Sequence, residues 1–227
     1  MAGVELRVAE SAEEAARLAA GELVRAAGEG GHVAVSGGSS PKPAYELASL
    51  RAPDWSRVEL WWADERCVPP ADRQSNYRLV RETLLDGLSR PPVVHRVHGE
   101  LPPEEAAAAY DEEIRAVWLD LALLGIGPDG HTASLFPGSP ALDEHERAAV
   151  ATQPGLEPFV PRVSLTIPKL SGARLVLFLV TGAEKAEAAR RAFEADPSPE
   201  TPASLVRSRE GRTVAVLDRD AAAGLHP

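Results

Sequence analysis

Cysteine, lysine, basic runs and long apolar stretches are all scarce in this sequence, and each scarcity closes off a class of protein. A single cysteine, Cys67, excludes a disulfide within the chain and a zinc site built on several thiolates. A membrane helix needs roughly 18 to 20 unbroken apolar residues; the best stretch here, Leu175 to Val180, has the length of a strand. The first residues show no basic segment followed by an apolar one, so no secretory signal is expected. With 24 basic against 34 acidic residues the formal charge is −10, and no basic run interrupts it. Such a surface repels nucleic-acid phosphates and anionic lipid, so neither partner is expected, and no obligate protein partner is indicated. A small anion would have to be held by a few placed cations and backbone N–H groups. Only Lys42, Lys169 and Lys185 are lysines. Each either marks a place where a compact ammonium serves better than a planar fork, or reflects composition alone.

What is present is the balance of a soluble globular protein: 44% hydrophobic and 26% charged residues in 227. One domain over residues 1–227, cytoplasmic, is the expectation. Apolar or β-branched runs at 5–8, 32–36, 58–63, 93–97, 119–124, 148–152, 162–166, 175–180 and 213–217 predict strands. Ser11-Ala-Glu-Glu14 is a capping box that opens an alanine-rich helix ending near the glycines at 28–31. Further helices are predicted at 41–50, 76–85, 103–117, 183–195 and around 203–207. Strands alternating with helices give an α/β fold, with a mostly parallel open sheet covered by helices on both faces. Ligands of such sheets sit beyond the carboxyl ends of the strands, so the segments that follow strands matter most.

Three of these segments carry chemistry. After the strand at 32–36 comes Ser36-Gly-Gly-Ser-Ser-Pro41, then a helix. Its glycines let backbone N–H groups approach a phosphate, its serines offer hydroxyls, and the helix start adds partial positive charge. The spacing is neither that of a P-loop nor that of a nucleophile elbow, and a plain strand-to-helix turn is the competing reading. The second segment is Leu124-Gly-Ile-Gly-Pro-Asp-Gly-His-Thr-Ala-Ser-Leu-Phe-Pro137. It matches a dinucleotide fingerprint literally but leaves no room for the crossover helix that fingerprint needs. It does supply Asp129 and His131, a carboxylate able to fix the tautomer of an imidazole suited to general-base work; a surface loop is the alternative. In the third, Asp64, Glu65 and Arg66 crowd a strand end, either as a site with perturbed acidities or as solvated loop charges.

Arg162 opens a later strand, and Lys185 stands in the first turn of a helix, where a cation opposes the macrodipole unless an anion binds beside it. Metal ligation is not indicated. His95 and His98 fall on opposite faces of a predicted strand, while His32, His145 and His226 are isolated. Cys67 has no histidine near it in sequence and is read as an inert thiol.

At these residues the chain resembles the 6-phosphogluconolactonases, within the larger family that includes the glucosamine-6-phosphate deaminases. The matching pieces are Ser36 to Pro41, Trp62-Ala-Asp-Glu-Arg-Cys-Val-Pro69 with Ser75-Asn-Tyr77, Leu124 to Pro137, Arg162-Val-Ser-Leu-Thr166 and Thr181-Gly-Ala-Glu-Lys-Ala186, in family order over most of the chain. The resemblance implies a Rossmann-like fold of the glucosamine-6-phosphate deaminase type. It also implies hydrolysis of 6-phosphoglucono-δ-lactone in the oxidative pentose phosphate pathway, without a cofactor or metal. Carried over, Gly37, Gly38, Ser39, Arg162 and Lys185 hold the 6-phosphate. His131 is the general base and Asp129 shapes its loop. Arg66 balances charge on the ring or tetrahedral oxygen, and Asp64 and Glu65 order sugar hydroxyls or the loop.

Two alternatives remain. A deaminase or isomerase of hexosamine 6-phosphate would use the same frame, but Arg66 stands where the deaminases carry a tyrosine, and the acid they carry after the histidine is missing here. A non-catalytic sugar-phosphate sensor would leave the Asp129-Gly-His131 loop without a purpose.

Overall fold

The computed structural model describes residues 3–155, 157 and 159–225 of the chain. His226 lies outside the described residues.

The first helix begins as the capping box requires, with one shift. The Ser11 side chain accepts from the Glu14 N–H at 3.3 Å, but Glu14 reaches back to the N–H of Glu10 rather than of Ser11, at 2.7 Å. This helix, α1 (Ala12–Glu29), follows strand β1 (Val4–Ala9) and buries a face made largely of alanine, including Ala15, Ala16, Ala19 and Ala20. It stops at Gly30, whose φ of +82° favours glycine.

Strands β2 (Gly31–Val35), β3 (Val58–Trp62), β5 (Val93–His95), β6 (Leu121–Leu124), β9 (Leu175–Val180) and β10 (Arg212–Asp218) join β1 in a seven-stranded sheet of order β1-β10-β9-β6-β2-β3-β5. Every neighbouring pair is parallel. All six residues of β9 are buried, which explains its continuous apolar run: both faces of that strand are covered. The chain steps from β2 to β3 and β5 on one side, then returns to lay β6 on the other flank of β2. The topology therefore reverses between β2 and β6, and a crevice opens beyond their carboxyl ends.

Two buried tyrosines shape that edge in the same way. Tyr45, on α2 (Lys42–Arg51), accepts from the Ser36 N–H at 3.1 Å and donates to the Ser36 carbonyl at 2.7 Å. Tyr110, on α4 (Pro103–Ile114), accepts from the Trp62 N–H at 2.8 Å and donates to its carbonyl at 2.9 Å. Each phenol satisfies both backbone groups of the residue at which the chain leaves the sheet.

The predicted strands at 148–152 and 162–166 do not join the main sheet. As β7 (Ala149–Thr152) and β8 (Arg162–Leu165) they form, with β4 (Asp64–Arg66), a separate antiparallel three-stranded sheet of order β4-β8-β7. Ala63 links the two sheets: its N–H donates to Val35 O, and its carbonyl accepts from Leu165, both at 2.8 Å. Helix α3 (Asn76–Thr83) starts where predicted, and α5 (Ile167–Ser171) was not predicted. The helix expected over 183–195 divides into a 3-10 turn at Ala183–Lys185 and α6 (Ala186–Phe193). The one expected around 203–207 is a 3-10 turn at Pro202–Leu205. Among the described residues no helix is long and apolar enough to cross a membrane.

Candidate active site

The turn after β2 forms one wall of the crevice. Gly38 has φ +105°, and a Cβ on Gly37 would lie 1.8 Å from Asn76 Oδ1, so both positions require glycine. Helix α2 follows Pro41, which supplies no side-chain cap, and its first turn carries no acidic residue. The Ser36 hydroxyl, expected to face an anion, instead donates to Leu123 O at 2.8 Å and ties β2 to β6. Ser39 and Ser40 line the cleft, and the Ser40 hydroxyl lies 2.7 Å from that of Thr181.

The second wall comes from β4 and β8. Sequence neighbours Asp64 and Glu65 point apart. Asp64 lines the cleft, with Oδ2 accepting from the Ser134 hydroxyl at 2.6 Å and Oδ1 from Asn76 Nδ2 at 3.3 Å. Glu65 does not line it. Its carboxylate accepts from the N–H groups of Asn76 and Tyr77, at 2.7 and 2.6 Å, and from the Ser75 hydroxyl, so it holds the start of α3. Burial pushes the Glu65 carboxyl upward, against the lowering effect of those backbone N–H donors. Of the two parts implied for it, ordering sugar hydroxyls or ordering the loop, these bonds fit the second.

Arg66 and Arg162 stand directly opposite one another in the β4–β8 register, and both line the cleft. Like charges in opposed positions destabilise a sheet pair unless something negative sits between them. Burial pulls the Arg162 guanidinium down, Asp64 supports it and Arg66 lowers it further. Arg162 lies over the Phe136 ring at 5.3 Å, and its Nη1 is 3.5 Å from Ser134 Oγ. Arg66 donates to Gln74 O at 2.7 Å.

The loop after β6 forms the floor. Its Gly127 N–H donates to His131 O, its Gly130 N–H to Gly127 O, and Thr132 Oγ1 to Gly125 O. No helix follows directly, as the spacing required. His131 Nδ1 lies 2.6 Å from Asp129 Oδ1, which also accepts the His131 N–H at 3.1 Å. With Nδ1 engaged, Nε2 is the nitrogen left for the cleft, which His131 lines. Partial burial pushes the Asp129 carboxyl up, but the hydrogen bond and charge of the imidazole outweigh it and hold the group below its ordinary value. Ala133, two residues on, has φ +49° and is the single non-glycine with positive φ among the described residues; it too lines the cleft.

Lys185 completes the site. It is partly buried at the junction of the 3-10 turn and α6, and it lines the cleft. The other two lysines do not. Lys42 is exposed, 3.9 Å from Glu46, and Lys169 donates to the carbonyls of Ile114 and Val117 at the end of α4. The structure thus brings Gly37, Gly38, Ser39, Asp64, Arg66, His131, Arg162 and Lys185 around one crevice, with Asp129 behind His131 and Glu65 turned away. Three cations face one carboxylate there, a reversal of the sign of the whole chain. Asn76 and Ala133 line the same crevice without having been assigned a part, and Ser134 supports it from behind through its bond to Asp64. Asn76 follows the helix-capping Ser75, a signal that marks a helix start but not a cleft. Elsewhere, His32 is isolated only in sequence: it and His95 both approach Glu59, and His95 stacks on Trp61 at 3.9 Å. Burial raises the Cys67 thiol to about 11, consistent with an inert group.

Residues 5–215 match the family described as glucosamine-6-phosphate isomerases/6-phosphogluconolactonase. The chain belongs to this family. Among its members, a 6-phosphogluconolactonase of Synechocystis is 37% identical over 210 residues, covering 87% of this chain and 85% of the relative. The human 6-phosphogluconolactonase is 38% identical over 224 residues, covering 93% and 85%. The solved structure of a 6-phosphogluconolactonase from Trypanosoma cruzi superposes with a TM-score of 0.89 at 28% identity, covering 100% of this chain and 99% of the other. The chain and this solved 6-phosphogluconolactonase therefore share one fold over their whole length.

Proposed function

We propose that residues 1–227 form one catalytic unit that hydrolyses 6-phospho-D-glucono-1,5-lactone to 6-phospho-D-gluconate in the oxidative pentose phosphate pathway. It acts in the cytoplasm, on a sugar-phosphate substrate, without an obligate protein or nucleic-acid partner. The carrying observation is that His131, its Nδ1 held by Asp129, shares one cleft with Arg66, Arg162 and Lys185.

The 6-phosphate dianion sits on the N–H groups of Gly37, Gly38 and Ser39 with Arg162 and Lys185, near the uncapped start of α2. The lactone ring then extends toward His131. Asp129 keeps the proton on Nδ1, so Nε2 takes one from water as its oxygen bonds to C1. Negative charge develops on the former carbonyl oxygen, where Arg66 balances it. When the tetrahedral adduct collapses, the bond from C1 to the ring oxygen breaks and that oxygen takes the proton back from Nε2. Asp64, fixed by Ser134 and Asn76, orders sugar hydroxyls. Ser134 stands in the stretch where a deaminase would carry its acid, and its hydroxyl is engaged by Asp64, which favours the lactonase reading.

The test uses lactone generated freshly from glucose 6-phosphate, with acid release followed above the spontaneous rate. His131→Ala is expected to lower kcat by about 10²–10⁴-fold with an unchanged far-ultraviolet spectrum. Wild-type turnover in that variant removes His131 from the base role, and no excess rate in the wild type leaves the sensor reading standing.

A further inference from the structure

Arg207 lies outside the cleft, yet its burial calls for an explanation. It donates to the carbonyls of Ala203 at 2.9 Å and Val206 at 2.8 Å, and to that of Ala192 in the last turn of α6. The guanidinium also lies over the Phe193 ring at 5.6 Å. Burial pulls it down to about 10, and no carboxylate contributes to that balance. A planar fork suits this place, because one group reaches an orphaned carbonyl at a helix end and two more from a neighbouring turn.

The turn that Arg207 grips, Pro202–Leu205, bears directly on the His131 loop. The Ala203 N–H donates to Gly130 O at 3.0 Å. Thr201 is seated on Gly130 so closely that a Cβ there would lie 2.9 Å from Thr201 Cγ2. Gly130 is the residue between Asp129 and His131. The same turn is stiffened by Ser204, whose hydroxyl accepts from the Ser198 N–H at 2.8 Å. At the opposite end of α6 stands Lys185.

We infer that Arg207 is a positioning residue, locking the last turn of α6 to the segment that seats Gly130, so that the Lys185 ammonium and the His131 imidazole keep a fixed spacing across the cleft. The inference rests on the proposed roles of His131 and Lys185. A substrate gripped by its phosphate presents its carbonyl carbon at a fixed reach, and a misplacement of about 1 Å costs up to about 10²-fold in rate.

Arg207→Met, Arg207→Lys and Thr201→Ala are compared with the wild type by kcat and KM per folded protein, well below each melting temperature. Arg207→Met is expected to lower kcat about tenfold and raise KM several-fold, with partial recovery in Arg207→Lys. Thr201→Ala keeps the guanidinium and removes the methyl group resting on Gly130; it is expected to lower kcat about threefold with KM unchanged. A residue that only stabilises the fold would lower the melting temperature and leave both constants alone. Wild-type kcat and KM in folded Arg207→Met overturn the inference. If that variant does not fold, wild-type kcat in Thr201→Ala does so by itself. A fully active His131→Ala strikes the reading of the site instead. Loss in His131→Ala with unaltered Arg207 and Thr201 variants strikes the clamp alone.

Discussion

A Cβ on Gly127 would lie 2.0 Å from His131 Nδ1 and 2.7 Å from Asp129 Oδ1, so a side chain there must push the pair out of place. Gly127→Ala is accordingly expected to lower kcat by at least about tenfold while KM changes little, as steady-state kinetics will read, because the proposed phosphate contacts lie on other elements. Lys185→Ala gives the reverse pattern. A contact to the phosphate, remote from the reacting carbon, acts on ground state and transition state alike, so KM rises and kcat stays near that of the wild type. An unmoved KM would place the phosphate elsewhere. The imidazole holds Asp129 below its ordinary value, so the carboxylate that fixes His131 stays ionised into mildly acid solution.

At the scale of elements, the two tyrosine braces decide where the sheet ends and the cleft begins. Tyr45→Phe leaves the buried N–H and carbonyl of Ser36 without their partner, which is expected to cost about 1–3 kcal/mol in urea denaturation. It also loosens the turn that presents Gly37, Gly38 and Ser39, so KM should rise. Elements of this size were unequally legible in the sequence. Strand β9 announced itself through an unbroken apolar run, because burial on both faces demands one. Strand β4, Asp64-Glu65-Arg66, did not, since three charged residues carry no strand signal and the segment is extended only because β8 pairs with it. Likewise the stretch around 203–207 looked helical but forms a 3-10 turn braced by Arg207, a contact across 15 residues to Ala192 that no local pattern reveals.

Over the whole molecule, a charge of −10 surrounds a cleft lined by three cations and one carboxylate. The acid surface also governs stability. Arg96 and the neighbouring backbone hold Glu100 at about 2, and the N–H groups of Arg147 and Glu146 with the Arg147 side chain hold Glu144 at about 2, against an ordinary 4.5. Between those limits the unfolded chain binds more protons than the folded one, so stability present above about 4.5 is lost as the pH falls toward about 2. Glu65, raised by burial, acts in the opposite sense: its contribution is full at low pH and is lost as the pH rises through its folded value. The depressed carboxylates outnumber it, and the urea midpoint is expected to fall as the pH is lowered from about 4.5 to about 2.5, less steeply in high salt, which screens exposed pairs.

The sequence by itself determined the alternation of strands and helices and the three segments at which chemistry gathers, because hydrophobic period, caps and glycine turns are local properties of a chain. It also determined the His131–Asp129 pair, whose members are two residues apart in one loop. Only the tertiary structure decided that Asp64 faces the cleft while Glu65 clamps α3, that Ser36 turns away toward Leu123, and that Arg66 stands opposite Arg162. Those outcomes depend on strand register and on partners distant along the chain, and no short window of residues contains either.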